Sequence, residues 1–275
     1  MPAPKISYAS PARSSIQSAL IRGLERVTGR RQMETRYAAT QALNADTFWE
    51  GALDQLDVTL DADPDPSTVV PTEGPLVVVA NHPFGVLDGL AICHLVSLVR
   101  SDFRILVNRV LCRDDRIEHH FLPIDFTESR AARGQNVRSM KAAFDHLRDD
   151  GVLIIFPAGG VATATRPFGP VEEMNWKPLL ARLVHEGEAP VLPVYFAGRN
   201  SRLFHLVSQV SLTLRLSLLL RETLQKAGET LSVRLGSPVS YGNLASLTAP
   251  NDLARRLRST TLGLNESGPN AEESV

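Results

Sequence analysis

The stretch LVVVANHPFGVLDG, residues 76–89, decides the fold class of this chain. Leu76 to Ala80 are five apolar residues in a row, the pattern of a strand buried on both faces of a sheet. Asn81 and His82 leave that strand, Pro83 restrains the backbone behind them, and Gly85 permits a tight bend. Asp88 then stands near the start of a segment of helical length, about Asp88 to Leu98. A doubly buried strand feeding a helix through a short polar turn is the repeating unit of a parallel sheet. Its functional residues belong just beyond the carboxyl ends of the strands.

The rest of the body repeats that unit. Short apolar runs at Phe103 to Val107, Val152 to Phe156, Val191 to Phe196 and Leu231 to Leu235 read as strands. Between them, Val137, Met140, Phe144 and Leu147 mark one helix, Trp176 to Val184 another, and Arg202 to Gln225 a long third. The expected architecture is α/β, a mostly parallel central sheet flanked by helices, over residues 75–264. Residues 1–74 read as a helical extension and linker. Within them, Ser14 to Gly29 is an amphipathic helix and a second helix runs from about Arg36 towards Leu60. The Asp- and Pro-rich run from Asp61 to Ser67 breaks it. The residues from Asn265 to Val275 are expected to be disordered.

Composition removes several classes. The 275 residues carry 29 basic and 30 acidic side chains, so a broadly basic nucleic-acid binder is not expected. The balance conceals two opposed segments. Residues 1–36 hold seven basic side chains against Glu25 and Glu34, whereas residues 37–75 hold eight acidic ones and no basic one. Such asymmetry points to a surface partner, and a basic amphipathic helix fits either the core or an anionic lipid surface. Two cysteines, Cys93 and Cys112, make no disulfide framework. No signal-peptide pattern opens the chain, and no window of transmembrane length is apolar. Leu203 to Leu214 lacks Lys, Arg, Asp and Glu and suits an interface rather than a span.

Three strand ends carry unusual chemistry. After the first, Asp88 has two readings: it folds back to hold one imidazole nitrogen of His82, freeing the other as a base, or it caps the helix. After the second come Phe156, Pro157, Ala158, Gly159 and Gly160, either a tight turn or a set of amide donors for a ligand. After the third, Arg199 emerges to meet an anion or a helix carboxylate. The adjacent His119 and His120 have no spacing for a metal site. No G-x-S-x-G, G-x-x-x-x-G-K or G-x-G-x-x-G is present, which removes the usual support for a serine hydrolase, a P-loop enzyme or a dinucleotide oxidoreductase.

Taken together, Asn81-His82 with Asp88, Phe156-Pro157-Ala158-Gly159 and Leu192-Pro193-Val194 resemble, in order and spacing, the blocks of the glycerolipid acyltransferase superfamily. The resemblance spans about residues 75 to 240. The His-to-Asp spacing is one residue longer than the main family's. Ala158 stands where a Glu is usual, and the Phe-Ile-Asp-Arg block survives only as Leu122-Pro123-Ile124-Asp125-Phe126. These departures, with Tyr195 to Phe204, are similar to a hemolysin-labelled subgroup related to lyso-ornithine lipid O-acyltransferases.

The resemblance implies acyl transfer to a lysolipid hydroxyl, with His82 as general base and Asp88 as its orienting partner. Acyl-ACP or acyl-CoA is the implied co-substrate, with no metal or bound cofactor. Amides at Pro157 to Gly160 are the implied oxyanion donors, Asn81 and Phe156 belong to the substrate site, and Arg109 and Arg199 anchor an anionic group. It also implies a peripheral enzyme on the cytoplasmic face of an anionic membrane. A 1-acylglycerol-3-phosphate acyltransferase, a thioesterase and a non-catalytic lipid binder are the alternatives.

Overall fold

The structure, a computed structural model, describes residues 29–112, 114–164, 166, 169–210 and 212–265. The readings of a helix over 14–29 and of a tail over 265–275 therefore lie outside the described residues but for Gly29 and Asn265. Helix α1 (Arg30–Ala39) and a 3-10 turn lead to α2 (Ala45–Leu56), strand β1 (Thr59–Asp63), β2 (Leu76–Ala80) and α3 (Val86–Ser97). Next come β3 (Phe103–Asn108), β4 (Phe121–Ile124), α4 (Arg130–Arg148) and β5 (Val152–Ile155). A small ribbon, β6 (Thr163–Ala164) and β7 (Val171–Glu172), precedes α5 (Leu179–Glu186) and β8 (Val191–Phe196). The chain continues through α6 (Arg202–Val210), α7 (Leu212–Gln225), β9 (Thr230–Leu235) and α8 (Pro250–Gly263).

Seven strands form one sheet in the order β1-β9-β8-β2-β5-β3-β4. Every neighbouring pair is parallel except β8 with β9. The expected α/β class with a mostly parallel sheet is what the chain adopts. Because side chains alternate across a strand, β2 serves two cores at once. Leu76, Val78 and Ala80 join the core under α2 and α3, while Val77 and Val79 join the one under α4, α5 and α8. That double burial is why the run reads as continuously apolar. Strand β2 lies between β8 and β5, with Val79 beside Pro193 and Ile155. The turns after β8, β2 and β5 therefore emerge side by side at one edge of the sheet.

Three sequence readings need correction. The expected helix from Arg36 to Leu60 is two helices. Leu43 is extended, and Asn44 caps α2 by accepting a hydrogen bond from Thr47 N at 2.9 Å. Helix α2 ends at Asp57, whose φ is +56°, and the chain then enters β1 instead of continuing. The acidic run is accordingly not only a linker. Asp61 and Asp63 lie on β1, which pairs with β9, and Arg234 of β9 lies 3.6 Å from Asp61. The third correction concerns Arg202 to Gln225, which is two helices. The stretch suited to an interface is not a single exposed face, because Phe204 packs in the interior with Val161, Leu218 and Leu219. Among the described side chains of residues 203–208, only that of Leu203 is exposed. Among the described residues no helix is long and apolar enough to cross a membrane.

Candidate active site

The turn between β2 and α3 is built around one oxygen atom. His82 Nδ1–H donates to Asp88 Oδ2 at 2.9 Å, and the backbone N–H groups of Phe84 and Gly85 donate to the same oxygen at 2.9 Å each. Asp88 thus does both things its position allows: it orients the imidazole and it satisfies the first orphan amides of α3. The extra residue between His82 and Asp88 is absorbed at Gly85, whose φ of +96° is a conformation that L side chains rarely adopt. A Cβ there would also lie 3.0 Å from Leu219 and 3.3 Å from Val161. The longer spacing therefore leaves the His–Asp pair intact.

With Nδ1 protonated towards a carboxylate, Nε2 carries the imidazole lone pair. It has no partner among the described residues, and the His82 side chain is 17% exposed while Asp88 is fully buried. A base needs that combination of a held ring, an anionic partner and an open nitrogen.

The other expected site residues divide into those that serve His82 and those that do not reach it. Phe156, at the end of β5, stacks on the imidazole with ring centroids 4.0 Å apart and planes at 23°. Its contact is with the base rather than with open space. Asn81 is buried, and its amide closes a two-way bond with β8, donating to Phe196 O at 2.9 Å and accepting from Phe196 N at 2.7 Å. This amide locks β2 to β8 with one N–H and one oxygen lone pair. Pro157 has no N–H to offer. Gly159 N closes the turn onto Phe156 O at 3.0 Å, which takes it out of the expected donor set. The N–H groups of Ala158 and Gly160 have no acceptor among the described residues. The Ala158 methyl itself packs in the core with Trp176.

The two arginines stand apart. Arg109 follows β3 on a 3-10 turn, is 63% exposed and meets Asp125 at 3.2 Å. Hydrogen bonds from Thr127 and the nearby Arg109 hold the Asp125 carboxyl below its usual range. Arg199 is exposed beyond β8. Neither contacts His82 or Asp88 among the described residues. His119 and His120 occupy a 3-10 turn. His120 is buried, with Nδ1–H donating to Phe103 O at 2.8 Å, and burial lowers its pKa.

One residue escaped the sequence reading. Glu173 is 9% exposed, and its Oε2 accepts from the backbone N–H of His82 at 3.2 Å while Oε1 accepts from Trp176 Nε1 at 3.2 Å. Burial raises the pKa of its carboxyl. It lies after β7 in no recognised block, so spacing alone carries no signal for it. The only hint was an acid standing three residues before a tryptophan.

Comparison with known proteins follows the same line. A lyso-glycine lipid O-acyltransferase of Phocaeicola vulgatus is 25% identical over 193 residues, 68% of this chain and 67% of that protein. One of the same name from Bacteroides thetaiotaomicron is 26% identical over 196 residues, 69% and 70% of the two chains. The crystal structure of the 1-acyl-sn-glycerophosphate acyltransferase PlsC from Thermotoga maritima aligns with a TM-score of 0.53 at 16% identity. That alignment covers 94% of this chain and 91% of that one, a likeness of fold. The acyltransferase family model matches residues 26–268. With the His–Asp pair at the end of the central strand and the family model spanning nearly the whole chain, this protein belongs to the acyltransferase family.

Proposed function

We propose that the chain moves a fatty acyl group from a thioester to the hydroxyl of a lysolipid. The observation that carries this reading is the His82–Asp88 pair with Nε2 open, at the point where three strand-end turns meet. In the step, the acceptor oxygen attacks the thioester carbonyl while its proton passes to His82 Nε2. The imidazolium that forms is stabilised by Asp88. The tetrahedral oxyanion lies against the N–H groups of Ala158 and Gly160. Collapse breaks the carbon–sulfur bond, and the departing thiolate takes the proton back from His82. The result is an ester, a free thiol and the resting enzyme. No metal or bound cofactor takes part in the step as written; the thioester is acyl-ACP or acyl-CoA.

The charges around the site support an acceptor whose hydroxyl is remote from its headgroup. Two carboxylates, Asp88 and Glu173, flank His82, whereas Arg109 and Arg199 lie further out. A phosphate or carboxylate headgroup fits better beside those outer arginines than next to the base. The curated relatives, named for a lyso-glycine lipid, are in line with an amino-acid lipid of the glycine or ornithine type. Leu111, Phe126 and Leu203 are exposed just beyond β3, β4 and β8. We read that edge as resting on the cytoplasmic face of an anionic membrane. Mass spectrometry of lipids from cells lacking the gene tests the reading. A lysolipid should accumulate while its acylated form disappears, and an unchanged lipid profile would overturn it.

A further inference from the structure

The mechanism above uses one carboxylate, yet His82 is held by two. The segment between β5 and α5 grips the main chain of His82 from both sides. Ala162 N–H donates to His82 O at 2.7 Å, and Glu173 Oε2 accepts from His82 N–H at 3.2 Å. The Glu173 carboxylate is itself fixed by Trp176 Nε1 at 3.2 Å. Its backbone is fixed from α8, where Arg258 donates to Glu173 O at 2.5 Å and to Met174 O at 3.3 Å. A carboxylate this buried costs free energy unless it is hydrogen-bonded or faces a positive charge. Its two donors are neutral, and Arg258 reaches only main-chain oxygens. Among the described residues, the ionisable groups that face it are His82 and Asp88.

We propose that Glu173 is a positioning residue for His82, holding the peptide that carries the imidazole and stabilising with its buried charge the imidazolium formed during acyl transfer. The assignment rests on the general-base reading of His82, but its electrostatic part is measurable without turnover. The geometry carries it: the carboxylate accepts from the backbone N–H of His82 at 3.2 Å, so the charge and the peptide bearing the imidazole are held together. A negative charge facing the ring favours the charged imidazole over the neutral one.

The direct experiment follows the imidazole Cε1–H of His82 by NMR as pH is varied, in the full chain and in Glu173→Gln, with His82→Ala identifying the resonance. The amide of Gln keeps the size of the side chain and an oxygen for the His82 N–H but removes the charge. In Glu173→Gln the His82 titration should move to lower pH, because a negative charge that favours the imidazolium is removed. The acid limb of the transfer rate should move to lower pH by the same amount, with a maximal rate roughly tenfold lower. A His82 pKa unchanged in a folded Glu173→Gln protein would overturn the proposal, whereas a wild-type protein without transfer activity would instead overturn the general-base reading. If Glu173→Gln does not fold, the reciprocal measurement decides. The Glu173 carboxyl, followed by carbon NMR, should titrate at higher pH in His82→Ala than in the wild type. An identical titration in the two proteins would overturn the proposal.

Discussion

At the scale of single residues, the site depends on Asp88 Oδ2 collecting three donors. Its sequence position admits two readings, helix cap and histidine partner, and the same atom serves both. Distance along the chain alone could not reveal that, because it depends on the Gly85 bend. Asp88→Asn keeps the volume and an acceptor oxygen but removes the charge facing the imidazolium. We expect the transfer rate to fall by about 10²–10⁴-fold, with at most about 2 kcal/mol of stability lost through the weakened cap. Steady-state rates and a thermal midpoint measured on the same preparation check both parts. The neighbouring expectations fared unevenly for physical reasons. Asn81 commits one donor and one acceptor to β8, and the Gly159 N–H goes to the turn itself. Residue type and spacing disclose which groups are near a site; they do not disclose which have already found partners.

At the scale of elements, doubly buried strands were easy to read and the edge strand was not. Strands β2, β5 and β8 are apolar because both faces are covered, and they carry the three blocks side by side in the sheet. Strand β1 alternates exposed Thr59, Asp61 and Asp63 with half-buried Leu60 and Ala62, and a prolyl residue follows it, so it resembles an acidic loop. The same applies to α2, read as part of an appended helix. Trp49 on α2 is 3% exposed and touches the rings of Phe48, Phe103, His120 and Phe121. Trp49→Ala should destabilise the whole chain by about 3–5 kcal/mol, seen as one denaturation transition at lower denaturant. A body that unfolds at its wild-type midpoint in that variant would instead make α2 an independent extension.

At the scale of the molecule, the near-zero total charge hides two segments of opposed charge, and the fold explains part of the acidic one. The acids of residues 37–75 include the outward face of edge strand β1, where Asp61 and Asp63 lie 3.6 and 4.0 Å from Arg234. The sheet order places the turns after β8, β2 and β5 together at the carboxyl edge. At the opposite edge, Arg100 is buried and ties the chain together: it pairs with Asp102 and donates to the carbonyls of Pro71, Gly74 and Asp150. One edge is thus closed by a committed arginine, and the other presents the histidine with an open nitrogen.

The account is tested most directly by incubating the purified protein with an acyl thioester and a lysolipid that has one free hydroxyl, and counting ester, thiol and free fatty acid by mass spectrometry. The wild type should form ester and thiol in equal amounts, and His82→Ala, folded to the same thermal midpoint, should form neither. Ester formed at the wild-type rate by His82→Ala, or fatty acid released in place of ester, would contradict it.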